Sequence, residues 1–141
     1  MNYTMSALLL LCTVSFTGCV QKNDKEKGIK RSTAGTVIHI NSEQEFDEIT
    51  ANGNVVVDFF AHWCGPCQKM GPIFDETAKE MPDTTFVKVD TEKFTDLSKR
   101  FGVRGLPTLM FFKNGKKIGQ KTGLLTKAEL RKEINKTYEL V

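Results

Sequence analysis

The sequence predicts an α/β fold: a mixed central sheet of four to five strands flanked by helices, in the element order βαβαβαββα. Three observations carry that expectation. Val55-Val56-Val57-Asp58-Phe59-Phe60 is an apolar, β-branched and aromatic run of strand length, and soon after it Met70, Ile73, Phe74, Thr77, Ala78 and Met81 recur at helical spacing. Strand-like and helix-like segments go on alternating from Val37 onward, joined by short loops. Near the end, two strand-like runs meet across Asn114-Gly115, a strong short-range signal for an antiparallel hairpin, so the sheet must be mixed.

Taken in order, residues 37–40 are a short edge strand. Ser42 opens a helix with Glu45 three residues on, the spacing of a capping box, and Phe46 and Ile49 form its inward face. Residues 55–61 are a buried central strand, and the helix that follows runs to about residue 80. Residues 85–90 are a parallel strand, and residues 95–101 a short helix ended by Gly102. Beyond Pro107, residues 108–113 and 117–122 make the hairpin. Thr126 caps a last helix whose Leu130, Ile134 and Tyr138 share one face. No internal repeat is visible.

The 141 residues suit one domain with an appendage. The apolar run from Ala7 to Phe16 is too short to span a bilayer well and has the length of a signal-peptide core. The following Phe16-Thr17-Gly18-Cys19 resembles the bacterial lipoprotein box, although no Lys or Arg precedes the run and Phe16 stands where that pattern usually has Leu. The resemblance implies cleavage after Gly18 and thioether lipidation of Cys19. The expected organisation is a signal peptide over 1–18, a flexible charged tether over 19–35 and a domain over 36–141. An ordinary cleaved signal and an uncleaved anchor are the alternatives, and all three place the domain outside the cytosol. The formal net charge of +3 resides in the tether, where Lys22, Lys25, Lys27, Lys30 and Arg31 outnumber Asp24 and Glu26. The domain is near neutral, so the basic excess gives no reason to expect nucleic acid; a solvated linker accounts for it.

Cys64-Gly65-Pro66-Cys67 carries the chemistry. It falls between the central strand and the long helix, which puts Cys64 at the helix N-terminus. Unsatisfied N–H groups and the positive end of the helix dipole stabilise a thiolate there. Cys67 lies three residues on, within disulfide reach. Gly65 and Pro66 permit the tight turn, and proline suits the first helical turn. The pattern fits a reversible disulfide with an exposed attacking sulfur at Cys64 and a resolving thiol at Cys67. A static disulfide and a zinc half-site are the rivals, the latter short of two ligands beyond His39, His62 and the tail cysteines. With Cys12 removed and Cys19 lipidated, Cys64 and Cys67 are the remaining pair.

Trp63-Cys64-Gly65-Pro66-Cys67 resembles the active-site motif of the thioredoxin family. The likeness extends to the strand with Asp58, to Pro72 within the helix, to Gly105-Leu106-Pro107-Thr108, to Asn114-Gly115 and to Gly123, and so covers the chain from about Val37 to its end. It implies the thioredoxin fold and thiol–disulfide exchange with no bound cofactor and no metal. It further implies a cis Leu106–Pro107 bond facing the sulfurs, and Asp58 as proton acceptor and donor for Cys67. The residues themselves allow a structural role for Asp58, paired with Lys88 on the neighbouring strand; burial would raise its pKa and Lys88 would lower it. Trp63 reads as core or, with Gly105, Leu106, Pro107 and Gly123, as part of an apolar surface that docks substrate. His62 reads as a solvated loop histidine, or as a cation that stabilises the Cys64 thiolate and makes the pair more oxidising.

The functional expectation is an exported bacterial protein-disulfide reductase on the periplasmic side, membrane-bound only through its lipid, acting on protein substrates as a monomer. Its electrons would come from a reductase or a membrane thiol carrier. The rivals are a periplasmic disulfide oxidase or isomerase, and a binding module that uses the surface around Trp63 and Pro107 with redox incidental.

Overall fold

A computed structural model describes residues 35–140. Nine elements follow in the predicted order: β1 (Val37–His39), α1 (Glu43–Thr50), β2 (Asn54–Phe60), α2 (Gly65–Glu80), β3 (Thr85–Asp90), α3 (Thr95–Arg100), β4 (Thr108–Lys113), β5 (Lys116–Thr122) and α4 (Lys127–Tyr138). Boundaries differ from the sequence reading by a residue at β1, β2, α3 and β5. The sheet has five strands in the order β1-β3-β2-β4-β5. β2 runs parallel to β3 and antiparallel to β4, so the strand that leads to the cysteines is the central one.

Period-two alternation along β2 divides the interior into two cores. Val56 joins Phe86 and Phe111 beneath α2 and α4, where Met70, Phe74, Leu130 and Ile134 close the layer. Val55, Val57 and Phe59 face the other way, toward Phe46 of α1 and Leu97 of α3. A strand covered on both faces has no solvent side, which is why the residues of β2 from Val55 to Phe60 are all apolar but one. Asp58 is the one charged residue in it, and it is 1% exposed.

The caps follow the sequence with one correction. The Ser42 hydroxyl accepts from Glu45 N–H, but the Glu45 carboxylate takes its bond from Asn41 N–H, one residue before the cap. The α1 box is therefore half formed. The complete box is at α4, where the Thr126 hydroxyl and the Glu129 carboxylate serve each other's backbone N–H. The hairpin turns on Asn114 and Gly115, both at positive φ (48° and 82°), the geometry of a type I′ turn. The Asn114 side chain also accepts from Gly53 N–H, fastening the turn to the loop before β2.

Candidate functional site

β2 ends at Phe60, and the next residues carry the chain off the sheet and into α2. Cys64 is the N-cap of α2, with Gly65 and Pro66 as its first two helical residues. Proline there forfeits an N–H that has no intrahelical acceptor. Cys64 and Cys67 form a disulfide with Cα atoms 5.2 Å apart. Cys67 N–H points at Cys64 Sγ from 3.2 Å, so a backbone donor already faces the atom that carries charge when the pair is reduced.

The expectation of an exposed Cys64 is corrected. Cys64 and Cys67 are both buried, 4% and 5% exposed. Cys64 turns inward to cap its own helix, and Leu106 and Phe60 pack against the Ala61–Cys64–Cys67 cluster. Access to Cys64 comes instead through an open groove of about 430 Å³, lined among others by Trp63, Cys64, Pro66, Val103, Arg104 and Leu106. Trp63 is 72% exposed, which excludes the core reading and leaves a flat aromatic face beside the groove. Gly105 also lines the groove; Pro107 and Gly123 do not. The Leu106–Pro107 bond is cis, as the resemblance implied, and Gly123 N–H donates to Pro107 O at 2.9 Å, tying the end of β5 to that loop.

Asp58 and Lys88 sit side by side in the β2–β3 register, yet the ion pair allowed for by the sequence does not form. The Lys88 ammonium pairs with Asp75 of α2 at 3.3 Å, because its long stem carries the charge out to the partly open helix surface. Both Asp58 carboxylate oxygens are left without a hydrogen-bond partner. Burial wins over the pull of the Lys88 charge, and the carboxyl is pushed up from 3.8 to about 7.

His62 is exposed, but its Nε2 lies 3.3 Å from the Asp90 carboxylate at the end of β3. Its ring stands edge-on to Phe60 at 5.3 Å. His39 meets that same Phe60 ring edge-on, at 6.5 Å. His62, Cys67, Gln68 and Lys88 line a smaller opening of about 240 Å³. Among the described residues, no group of three or more His, Cys, Asp or Glu is placed to hold a metal. Cys19 lies outside the described residues.

Sequence reasoning missed Asp90, Thr91, Val103 and Arg104. A signal existed for the first two: Asp90 ends a parallel strand and Thr91 follows it, and in open α/β sheets sites gather at the carboxyl ends of such strands. For Val103 and Arg104 the signal was their place immediately before Gly105-Leu106-Pro107.

A disulfide that joins residues i and i+3 at a helix N-terminus, opening on a groove beside a cis-proline loop, defines a thiol–disulfide exchange centre. The thioredoxin family profile matches residues 37–136. The chain is 44% identical over 94 residues to the thioredoxin of Mycoplasmoides gallisepticum, covering 66% of this chain and 94% of that one. It is 40% identical over 100 residues to the thioredoxin of Chlamydia muridarum, covering 71% and 98%. Among solved structures, a mutant thioredoxin from Halobacterium salinarum superposes with a TM-score of 0.71 at 33% identity, covering 77% of this chain and 96% of that one. The oxidised thioredoxin of Plasmodium falciparum gives 0.67 at 33%, covering 72% and 97%. The chain belongs to the thioredoxin family and is a thiol–disulfide oxidoreductase.

Proposed function

We propose that this protein is an exported, lipid-anchored reductase of protein disulfides, working outside the cytosol of a bacterium. The observation that carries the reductase reading is the Cys64–Cys67 pair, closed on the N-terminus of α2 and reached from the groove beside Trp63. In the dithiol form, the Cys64 thiolate attacks one sulfur of a substrate disulfide, and the other substrate sulfur leaves as a thiolate. Cys67, giving up its proton toward Asp58, then attacks Cys64 and frees the second substrate thiol. Two electrons pass to the substrate, and Cys64–Cys67 is left as the disulfide. Asp58 suits the proton role because its carboxyl, held near 7, gains and loses a proton at neutral pH. A reductase or membrane thiol carrier returns the electrons. The domain works as a monomer, and its link to the membrane is the lipid on Cys19, the first residue of a linker over 19–35.

The pairing of His62 with Asp90 supports the reducing direction over the oxidising one. An imidazole whose Nε2 is already engaged with a carboxylate is held by that contact and not by the Cys64 sulfur. The test is the reduction potential of the pair, measured by equilibration with dithiothreitol or glutathione in protein whose Cys12 and Cys19 are replaced by serine. A value of about −270 mV is expected for a reductase. A value of about −180 mV would make the protein an isomerase, and one of about −120 mV an oxidase. Absence of a reversible couple would leave only the binding-module reading.

A further inference from the structure

The groove that opens on Cys64 is apolar along most of its wall, with Trp63, Pro66, Val103 and Leu106 contributing. Its polar side chains are almost all committed within the protein. The Thr91 hydroxyl donates to Phe60 O at 3.1 Å, and the Ser98 hydroxyl to Phe94 O at 2.9 Å. Arg104 is the single charged residue that lines the groove, and it is exposed.

The acids nearby in the chain and fold already have partners of their own. Asp96 pairs with Lys99, Asp47 with Arg100 and Asp90 with His62. Glu92 and Lys93, the other charges on the segment between β3 and α3, are not among the groove's lining residues. Among the described residues, Arg104 enters no ion pair. A guanidinium carries five donors in a rigid fork that matches a carboxylate. One such fork, unspent, at the rim of an apolar groove with a reactive sulfur in its wall is complementary to an extended segment that has apolar residues and one acidic side chain close to its cysteine.

We propose that Arg104 selects among substrates, favouring disulfides with Asp or Glu within a residue or two of the attacked cysteine. The inference rests on the reductase reading. Arg104 contributes through binding, so its effect belongs in KM. Exposed charge pairs are individually weak, and the swing between an acidic and a basic neighbour amounts to about fivefold in kcat/KM at low salt, shrinking as salt screens the pair.

The probes are three cyclic peptides that share one intramolecular disulfide and one apolar sequence, with Glu, Gln or Lys beside the first cysteine. Each is reduced by the full chain with dithiothreitol as the electron source. Reduction of the Gln peptide faster than by dithiothreitol alone tests the reductase reading by itself; the absence of any such acceleration removes that reading and the inference with it. Given that activity, the expected order in kcat/KM is Glu above Gln above Lys. Arg104→Gln should bring the ratio of Glu to Lys peptide near one, and Arg104→Glu should invert it, with the changes in KM. Equal rates on all three peptides in the unsubstituted protein would overturn the inference. So would a preference that persists in Arg104→Gln, or a uniform change on all three peptides accompanied by a shifted reduction potential, since that would show Arg104 acting on the Cys64 thiolate.

Discussion

Asp58 is a carboxyl with no hydrogen-bond partner, sealed inside the central strand, and it sets how this protein responds to pH. Its pKa is 3.8 in an ordinary environment and about 7 in the folded chain. Below 3.8 both states hold the proton and burial of the neutral group is tolerated. As pH rises from 3.8 toward 7 the unfolded chain ionises first and the folded state loses stability. Above about 7 the loss is complete, roughly 4 kcal/mol for a shift of this size. Asp58→Asn removes that loss. Urea unfolding should find the variant more stable by roughly 2–4 kcal/mol at pH 8, and close to the unsubstituted protein at pH 4. Its turnover should fall roughly tenfold or more, with the limb near pH 7 gone from the pH–rate profile. Equal stability at pH 8 would mean that the carboxyl is not paying its desolvation cost in the fold. The presence of a buried acid was legible in the sequence, because a lone Asp amid Val and Phe has nowhere else to go. Its partner was not. Register aligns Asp58 with Lys88, but four methylenes let the ammonium travel to Asp75, and sequence does not report where a long side chain ends. His62 is a similar case: its partner Asp90 is brought near only by the parallel pairing of β2 with β3.

The elements themselves were legible almost throughout, because their signals are local. Helical spacing gave α2 its apolar face, and the Asn114-Gly115 pair gave the hairpin, since few other dipeptides accept two successive positive φ values at little cost. Where the reading slipped, at the α1 cap, the competitor was one residue away: Asn41 offers both its N–H and its side-chain amide to the same Glu45 oxygen. The two helices therefore differ in how much their caps contribute. In α4 the Thr126 hydroxyl accepts from Glu129 N–H and also reaches the Glu129 carboxylate, while that carboxylate takes Thr126 N–H. Thr126→Ala should cost about 1 kcal/mol of stability, measured by chemical denaturation. The loss should leave the reduction potential unchanged, because α4 packs against Val56 and Phe111 through its far face and supplies no residue to the groove. A shift in potential would show that α4 is coupled to the cysteines.

At the scale of the whole molecule, the motif was legible and the groove was not. Trp63 through Cys67 is contiguous, whereas the rest of the wall comes from Thr91, from Ser98 of α3 and from the Val103–Leu106 loop, brought together only by the fold. The family match begins at residue 37, and the chain spans 94% of one relative and 98% of another while a third or so of its own length stays outside the alignments. What precedes residue 37 lies outside that match, and an addition to a matched domain changes where the chemistry happens more readily than the chemistry itself. If that addition is a lipoprotein-type signal, Cys19 is the residue that decides the address. Expressed in a bacterial host, the unsubstituted chain should incorporate radiolabelled palmitate, begin at Cys19 and sediment with membranes. Cys19→Ser should take no label and leave the membrane fraction or remain unprocessed, with disulfide reduction by the purified protein unaltered, because residue 19 lies far outside the matched domain. A mature chain without label that begins at some other residue would make the segment an ordinary cleaved signal. An unlabelled chain that keeps residues 1–18 and still sediments with membranes would make it an uncleaved anchor.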